Sequence, residues 1–158
     1  MIKNLAALLA VCSAFELRDP SINSEDPTTY SNYQDAHSTH VLLELSADFE
    51  RKILNGVATH QVYCEKDTDT IVMDYLGIEF KNVTTLSSKG SFWEPLTHAL
   101  YEPENPNPAT NDSSAIQMTL NEPCLQGKTV QIKFEYTTDE DALALNWVDS
   151  VKTDTNTP

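Results

Sequence analysis

Residues 40–49 read HVLLELSADF and residues 53–64 read ILNGVATHQVYC, with the charged Glu50-Arg51-Lys52 between them. In the first stretch Val41, Leu43, Leu45, Ala47 and Phe49 alternate with polar or exposed positions, Leu42 excepted. Successive side chains of a β-strand point to opposite faces, so a period of two predicts a half-buried strand. The second stretch alternates as well. Ile53, Asn55, Val57, Thr59, Gln61 and Tyr63 lie on one side, with Leu54, Ala58 and Val62 on the other. Both sides mix polar and apolar residues, so the inward face stays open. Gly56, inside the run, marks a bulge or bend. Pairing the two strands about residues 50–52 sets His40 near Val62 and His60 near Leu42.

Outward from this hairpin the chain keeps the same character. Residues 70–75 and 78–86 predict two short strands punctuated by Leu76-Gly77, and residues 91–101 (SFWEPLTHALY) predict another, interrupted at Pro95. The segment EPENPNPATNDSS, 102–114, carries Pro103, Pro106 and Pro108 and reads as a loop, because proline neither donates to a ladder nor continues a helix. Residues 115–120 (AIQMTL) point Ile116, Met118 and Leu120 inward. The stretch 123–127 turns the chain, and 129–136 (TVQIKFEY) alternates Val130, Ile132, Phe134 and Tyr136. DALALNWVDS, residues 141–150, reads as a last strand-like run before the polar tail. No helical period, repeat or heptad occurs. Seven or eight strands spaced by about ten residues predict an all-β fold, an antiparallel β-sandwich or saddle, with a closed barrel as the alternative.

Length and charge bound the function. A chain of 158 residues suits one domain and can bury about two thirds of its unfolded surface. With 10 Lys and Arg against 24 Asp and Glu, the net charge is -14, which repels phosphate backbones and anionic lipid. Neither nucleic acid nor membrane is expected as a partner. Lys3, the apolar run Leu5–Val11 and the small residues around Cys12-Ser13-Ala14 read as a signal peptide over residues 1–14. The run is too short to span a bilayer, which needs about 20 apolar residues. The expected location is secreted or in the endomembrane lumen, and cytoplasmic if the segment is a buried N-terminal helix instead. Residues 15–37 read as an extended leader, 38–149 as the β domain and 150–158 as a polar tail. Cleavage removes Cys12 and leaves Cys64 and Cys124, either joined as one disulfide or kept as two buried free thiols. Two sequons, Asn82-Val83-Thr84 and Asn111-Asp112-Ser113, mark Asn82 and Asn111 for N-glycosylation.

The search for chemistry returns no catalytic and no metal residue. The sequence holds no H-E-x-x-H, no Gly-rich phosphate loop and no G-x-S-x-G. His37, His40, His60 and His98 read as solvated strand histidines, with a surface metal site as the sharper alternative. The acidic run Asp139-Glu140-Asp141 reads as a solvated turn rather than an acid/base pair or a calcium site. Trp93 and Trp147 read as core or edge packing rather than a carbohydrate or peptide groove.

Three blocks taken together resemble the N-terminal domain of the zinc aminopeptidase family, closest to its leukotriene A4 hydrolase branch. Residues 43–62 are similar to that family's first hairpin through Asp48-Phe49, Leu54 and Gly56. Residues 70–84 carry a similar strand with an acid, through Asp74, Leu76, Ile78 and Val83. Residues 134–148 resemble the branch's Tyr-x-Thr and Ala-Leu-x-Trp ending, through Tyr136, Thr138, Ala144, Leu145 and Trp147. The resemblance implies a saddle-shaped β domain that packs over a zinc catalytic domain. That family's G-x-M-E-N, H-E-x-x-H and downstream Glu ligand lie outside the resembling region and do not occur in this sequence. No catalytic or metal residue is therefore carried over, and zinc is expected in full-length relatives rather than in this chain. The apparent signal peptide departs from a branch that is typically cytosolic. The resulting expectation is a non-catalytic, truncated or partial N-terminal domain whose partner is a catalytic zinc domain. The alternative is a secreted β-sandwich binding or regulatory module that takes a peptide or protein ligand without enzyme activity.

Overall fold

The computed structural model describes residues 26, 28–101, 114–140, 142 and 145–148. Eight strands follow one another: β1 (Ala36–Asp48), β2 (Ile53–Cys64), β3 (Thr68–Tyr75), β4 (Ile78–Leu86), β5 (Trp93–Pro95), β6 (Thr97–Tyr101), β7 (Ser114–Cys124) and β8 (Thr129–Thr138). They build a five-stranded sheet in the order β1-β2-β8-β4-β5 and a three-stranded sheet in the order β3-β7-β6. Each neighbouring pair is antiparallel. Among the described residues there is no helix, so the all-β, two-sheet reading holds.

The core lies between the sheets. Ile71, Ile116 and Met118 of the small sheet, with Val62, Val83, Ile132 and Phe134 of the large one, form a single buried cluster. Removing each such side chain from water contributes about 1.5–3 kcal/mol. On β2 the buried positions Gly56, Ala58, Val62 and Cys64 share one face, which settles the side that alternation left open. Cys64 ends β2 and Cys124 ends β7, and a disulfide joins them across the two sheets, with a Cα–Cα distance of 6.3 Å. Both cysteines are buried.

Four local expectations are corrected. First, β1 is not half-buried: Val41, Leu43 and Leu45 are 41%, 54% and 53% exposed, and Leu42 on the other side is 54% exposed. β1 is the outermost strand of the large sheet, and of its residues the main core cluster includes Ala36 alone. Second, the hairpin register is one residue off the predicted one, with His40 opposite Gln61 and His60 opposite Val41. Asp48 pairs with Ile53, so the loop has four residues rather than three. The Asp48 carboxylate accepts from the amides of Glu50 (3.1 Å) and Arg51 (3.0 Å), and Lys52 takes the left-handed conformation at φ 55°. The bulge in this ladder falls between Ser38 and His40, while β2 runs through Gly56 in unbroken register.

Third, residues 91–101 make two strands in different sheets. β5 edges the large sheet and β6 edges the small one, and buried Leu96 bridges them with its amide bonded to the Val83 carbonyl at 3.0 Å. Fourth, the described part of 141–150 is not a strand. Ala142 donates to the Asp139 carbonyl (3.3 Å) and Leu145 to that of Ala142 (2.9 Å), so the chain coils there instead of extending. β7 also runs on to Cys124, past the start of the predicted turn. The signal-peptide stretch, Asn111 and the tail 150–158 lie outside the described residues.

Candidate functional site

Several of the residues that carry the resemblance hold the framework together. Gly56 faces Tyr136 in the β2–β8 ladder, and the tyrosine ring lies across the glycine. A Cβ built on Gly56 would sit 2.4 Å from Tyr136 Cζ, closer than any real side-chain carbon approaches. Asp74 on β3 pins the segment before β1. Its Oδ1 accepts from the Tyr30 amide at 2.8 Å, and its Oδ2 accepts from the Thr29 hydroxyl. Tyr30 is buried and meets Tyr101 edge to face, with centroids 5.5 Å apart. Asn32 adds a second tie, accepting from the Val72 amide (2.8 Å) and donating to the Thr70 carbonyl (3.0 Å). Thr138 accepts from the Leu54 amide at 2.9 Å. Gly77 sits at φ +65° in the β3–β4 turn, where its carbonyl accepts from Asp139 and Ala142 closes over it.

The histidines disperse. His37 faces Glu65 at 3.9 Å and tilts against Tyr63. His60 lies on the inward side of β2, where its ring meets Phe134 edge to face at 5.3 Å and its Nδ1 is 2.9 Å from the Ser38 hydroxyl. Burial there holds its proton affinity below that of an ordinary histidine, because an imidazolium would have to give up its hydration. His98 Nδ1 lies 3.1 Å from the Leu96 carbonyl, two residues back on its own chain. Among the described residues no three His, Cys, Asp or Glu side chains come together to hold a metal. Trp93 stacks under the Lys133 ammonium, 4.4 Å from the ring centre, which is packing on the outer part of the sheet. Asn82 is exposed on β4, opposite Glu135 and beside a bulge in the β4–β8 ladder.

Two concave regions remain. A cleft of about 820 Å³ opens between the rims of the sheets, lined by residues that include Thr85, Ser87, Glu122, Cys124 and Lys128. Its described lining holds no histidine; Ser88 donates to the Glu122 carboxylate at 3.4 Å, but that contact is exposed to solvent and no third group orients it. A shallower hollow of about 410 Å³ lies over Leu45, Gly56 and Tyr136. Among the described residues neither brings together a buried nucleophile–base pair or a set of metal ligands.

The surface is more telling. At the tip of the β1–β2 hairpin Phe49 is 78% exposed and stands edge to face on Trp147, centroids 5.7 Å apart. Val148 beside it is 57% exposed, and the buried Trp147 Nε1 finds no acceptor among the described residues. This tip and the bare flank of β1 are exposed apolar regions among the described residues. Such regions mark places where other polypeptide packs. The sequence showed each residue but not that the fold leaves them uncovered.

Comparison with known proteins agrees with this scaffold. Residues 27–149 match the peptidase M1 N-terminal domain. The chain is 22% identical over 130 residues to leucine aminopeptidase 2 of Sclerotinia sclerotiorum, covering 81% of this chain and 20% of that protein. It is 28% identical over 131 residues to leucine aminopeptidase 2 of Phaeosphaeria nodorum, covering 81% and 19%. Among solved structures, yeast LTA4 hydrolase in complex with Bestatin superposes with a TM-score of 0.57 at 21% identity, over 78% of this chain and 17% of that one. The chain thus spans about a fifth of the length of the curated relatives it matches. The family match covers most of the chain and takes in all eight described strands, Ala36 to Thr138, and the chain belongs to the peptidase M1 family through its N-terminal domain.

Proposed function

We propose that this chain is the non-catalytic N-terminal domain of a leukotriene A4 hydrolase-like zinc metalloaminopeptidase, with no hydrolytic activity of its own. The observation that carries this reading is the role of the matched residues. Gly56, Asp74, Tyr136 and Thr138 each pack or pin the β framework, and none is presented toward a reacting group. The residues described do not fit a zinc centre. Activating a water on zinc takes about three protein ligands and a base in fixed geometry, and no such group forms here. In the longer relatives, zinc belongs to the catalytic part, and this domain's task is to pack against it and help bound the peptide cavity. The Phe49, Trp147 and Val148 tip is the surface we assign to that contact, since it is apolar and uncovered.

Secretion is the proposed route. The signal-like first 14 residues support it, as does the disulfide between Cys64 and Cys124, a bond that persists in oxidising compartments. Asn82 and Asn111 are the proposed glycan acceptors on that route. The test is a zinc titration by calorimetry beside a fluorogenic aminoacyl-arylamide assay on the 158-residue chain. No stoichiometric zinc binding and no turnover is the expected result. Zinc binding accompanied by turnover defeats the proposal.

A further inference from the structure

We propose that β1 is a self-recognition edge, which joins two copies of this chain about a two-fold axis at Leu42 into one continuous ten-stranded sheet. β1 is the outer strand of the large sheet, 13 residues long, with its outer hydrogen-bonding edge unpaired among the described strands. It has no proline and no lysine, residues that blunt such an edge, and its one bulge, between Ser38 and His40, leaves the run from His40 to Asp48 regular. Its apolar residues Val41, Leu42, Leu43 and Leu45 are all exposed. Edges of this kind are templates for another strand.

Charge complementarity selects the occupant. A two-fold perpendicular to the sheet keeps each residue on the same face in both copies, so one residue must oppose itself. Centred on Leu42, the pairing sets Val41 against Leu43 and His40 against Glu44, each twice. The imidazole N–H of each copy then faces a carboxylate of the other. The regular run His40–Glu44 pairs with its own copy before the bulge at Ser38 is reached, and within it no acid meets acid. Centring on Glu44 would oppose the two glutamates, and centring on Val41 or Leu43 leaves His40 opposite Leu42 or Ser46, with no acid to receive it. Leu42 is the one centre on the strand that satisfies His40 and Glu44 without opposing like charges, which are destabilising when directly across. The net charge of -14 per copy works against association and is screened by salt.

The test is register-specific cross-linking of the full chain in a Cys12→Ser background, with a short bifunctional maleimide at high salt. Leu42→Cys places the two thiols face to face and should give a covalent dimer. Leu45→Cys, equally exposed, lies three residues from the axis and separates the thiols by about 20 Å, so it should stay monomeric. Sedimentation of the unmodified chain should show a dimer at high salt. Glu44→Lys should weaken it several-fold, and His40→Glu with Glu44→Lys should restore it. A monomer at high salt, equal cross-linking at 42 and 45, or no cross-linking at 42 overturns the proposal. None of these outcomes bears on the zinc and turnover assay, so the two readings fail separately.

Discussion

Replacing Gly56 by alanine sets a methyl group where the Tyr136 ring already lies. The new carbon would stand 2.4 Å from Cζ, 2.7 Å from the hydroxyl oxygen and 2.8 Å from Cε1, against a comfortable carbon–carbon contact of about 3.5–4.0 Å. The ring must move by more than about 1 Å, and overpacking of this kind costs about 1–3 kcal/mol. Opposing it, alanine in a strand interior is favoured over glycine by about 0.5–1 kcal/mol, and Gly56 has no left-handed φ that would forbid the change. Gly56→Ala should therefore destabilise the chain by about 1–2 kcal/mol. With Tyr136→Ala already in place the obstruction is gone, and the same substitution should stabilise by about 0.5–1 kcal/mol. Urea unfolding followed by tryptophan fluorescence gives all four corners of the cycle. The coupling should be about 2 kcal/mol, with a change of sign between backgrounds. Equal effects of Gly56→Ala in both backgrounds would refute the idea that the tyrosine ring demands the glycine.

Removing the disulfide with Cys64→Ala and Cys124→Ala should lower stability by about 4 kcal/mol, since the bridge closes a sequence separation of 60 residues; denaturant titration reads this. Asp74→Ala leaves the Tyr30 amide without its acceptor and should cost about 1–2 kcal/mol, with faster hydrogen exchange and proteolysis confined at first to residues 28–35. His60 takes up its proton less readily folded than unfolded, so the folded chain binds fewer protons and loses stability as pH falls below 6.5, the ordinary value. The drop in Tm between about pH 7.5 and about pH 5.5 should shrink in His60→Gln, and an unchanged drop counts against a buried neutral imidazole.

How far the sequence went depends on the element. β7 and β8 were legible because Ile116, Met118, Ile132 and Phe134 do face the core and nothing polar interrupts them. β2 was not, because its inward face includes both Gly56 and His60, one emptied for a tyrosine ring and one set edge to face with Phe134. β1 misled most. Its alternation has the form of a buried strand, but burial depends on what lies opposite, and periodicity within a strand holds no information about the width of the other sheet. Pro95 was read as an interruption, while the chain uses it as the place to leave one sheet for the other, helped by Leu96 filling the gap. The contacts of Asp74 and Asn32 span about 40 residues of sequence and leave no local trace.

The placement of β8 bears on how the polypeptide is born. β8 ends at Thr138 and lies in the middle of the large sheet, with β2 on one side and β4 on the other. While a ribosome is still making the earlier strands, β2 and β4 each lack the neighbour they will share, and both sit ready to pair wrongly. Closure of that sheet waits for the last of the described strands, so folding should be slow and governed by distant contacts. A nascent chain stalled before Thr129 is then the form most exposed to aggregation and most in need of a chaperone.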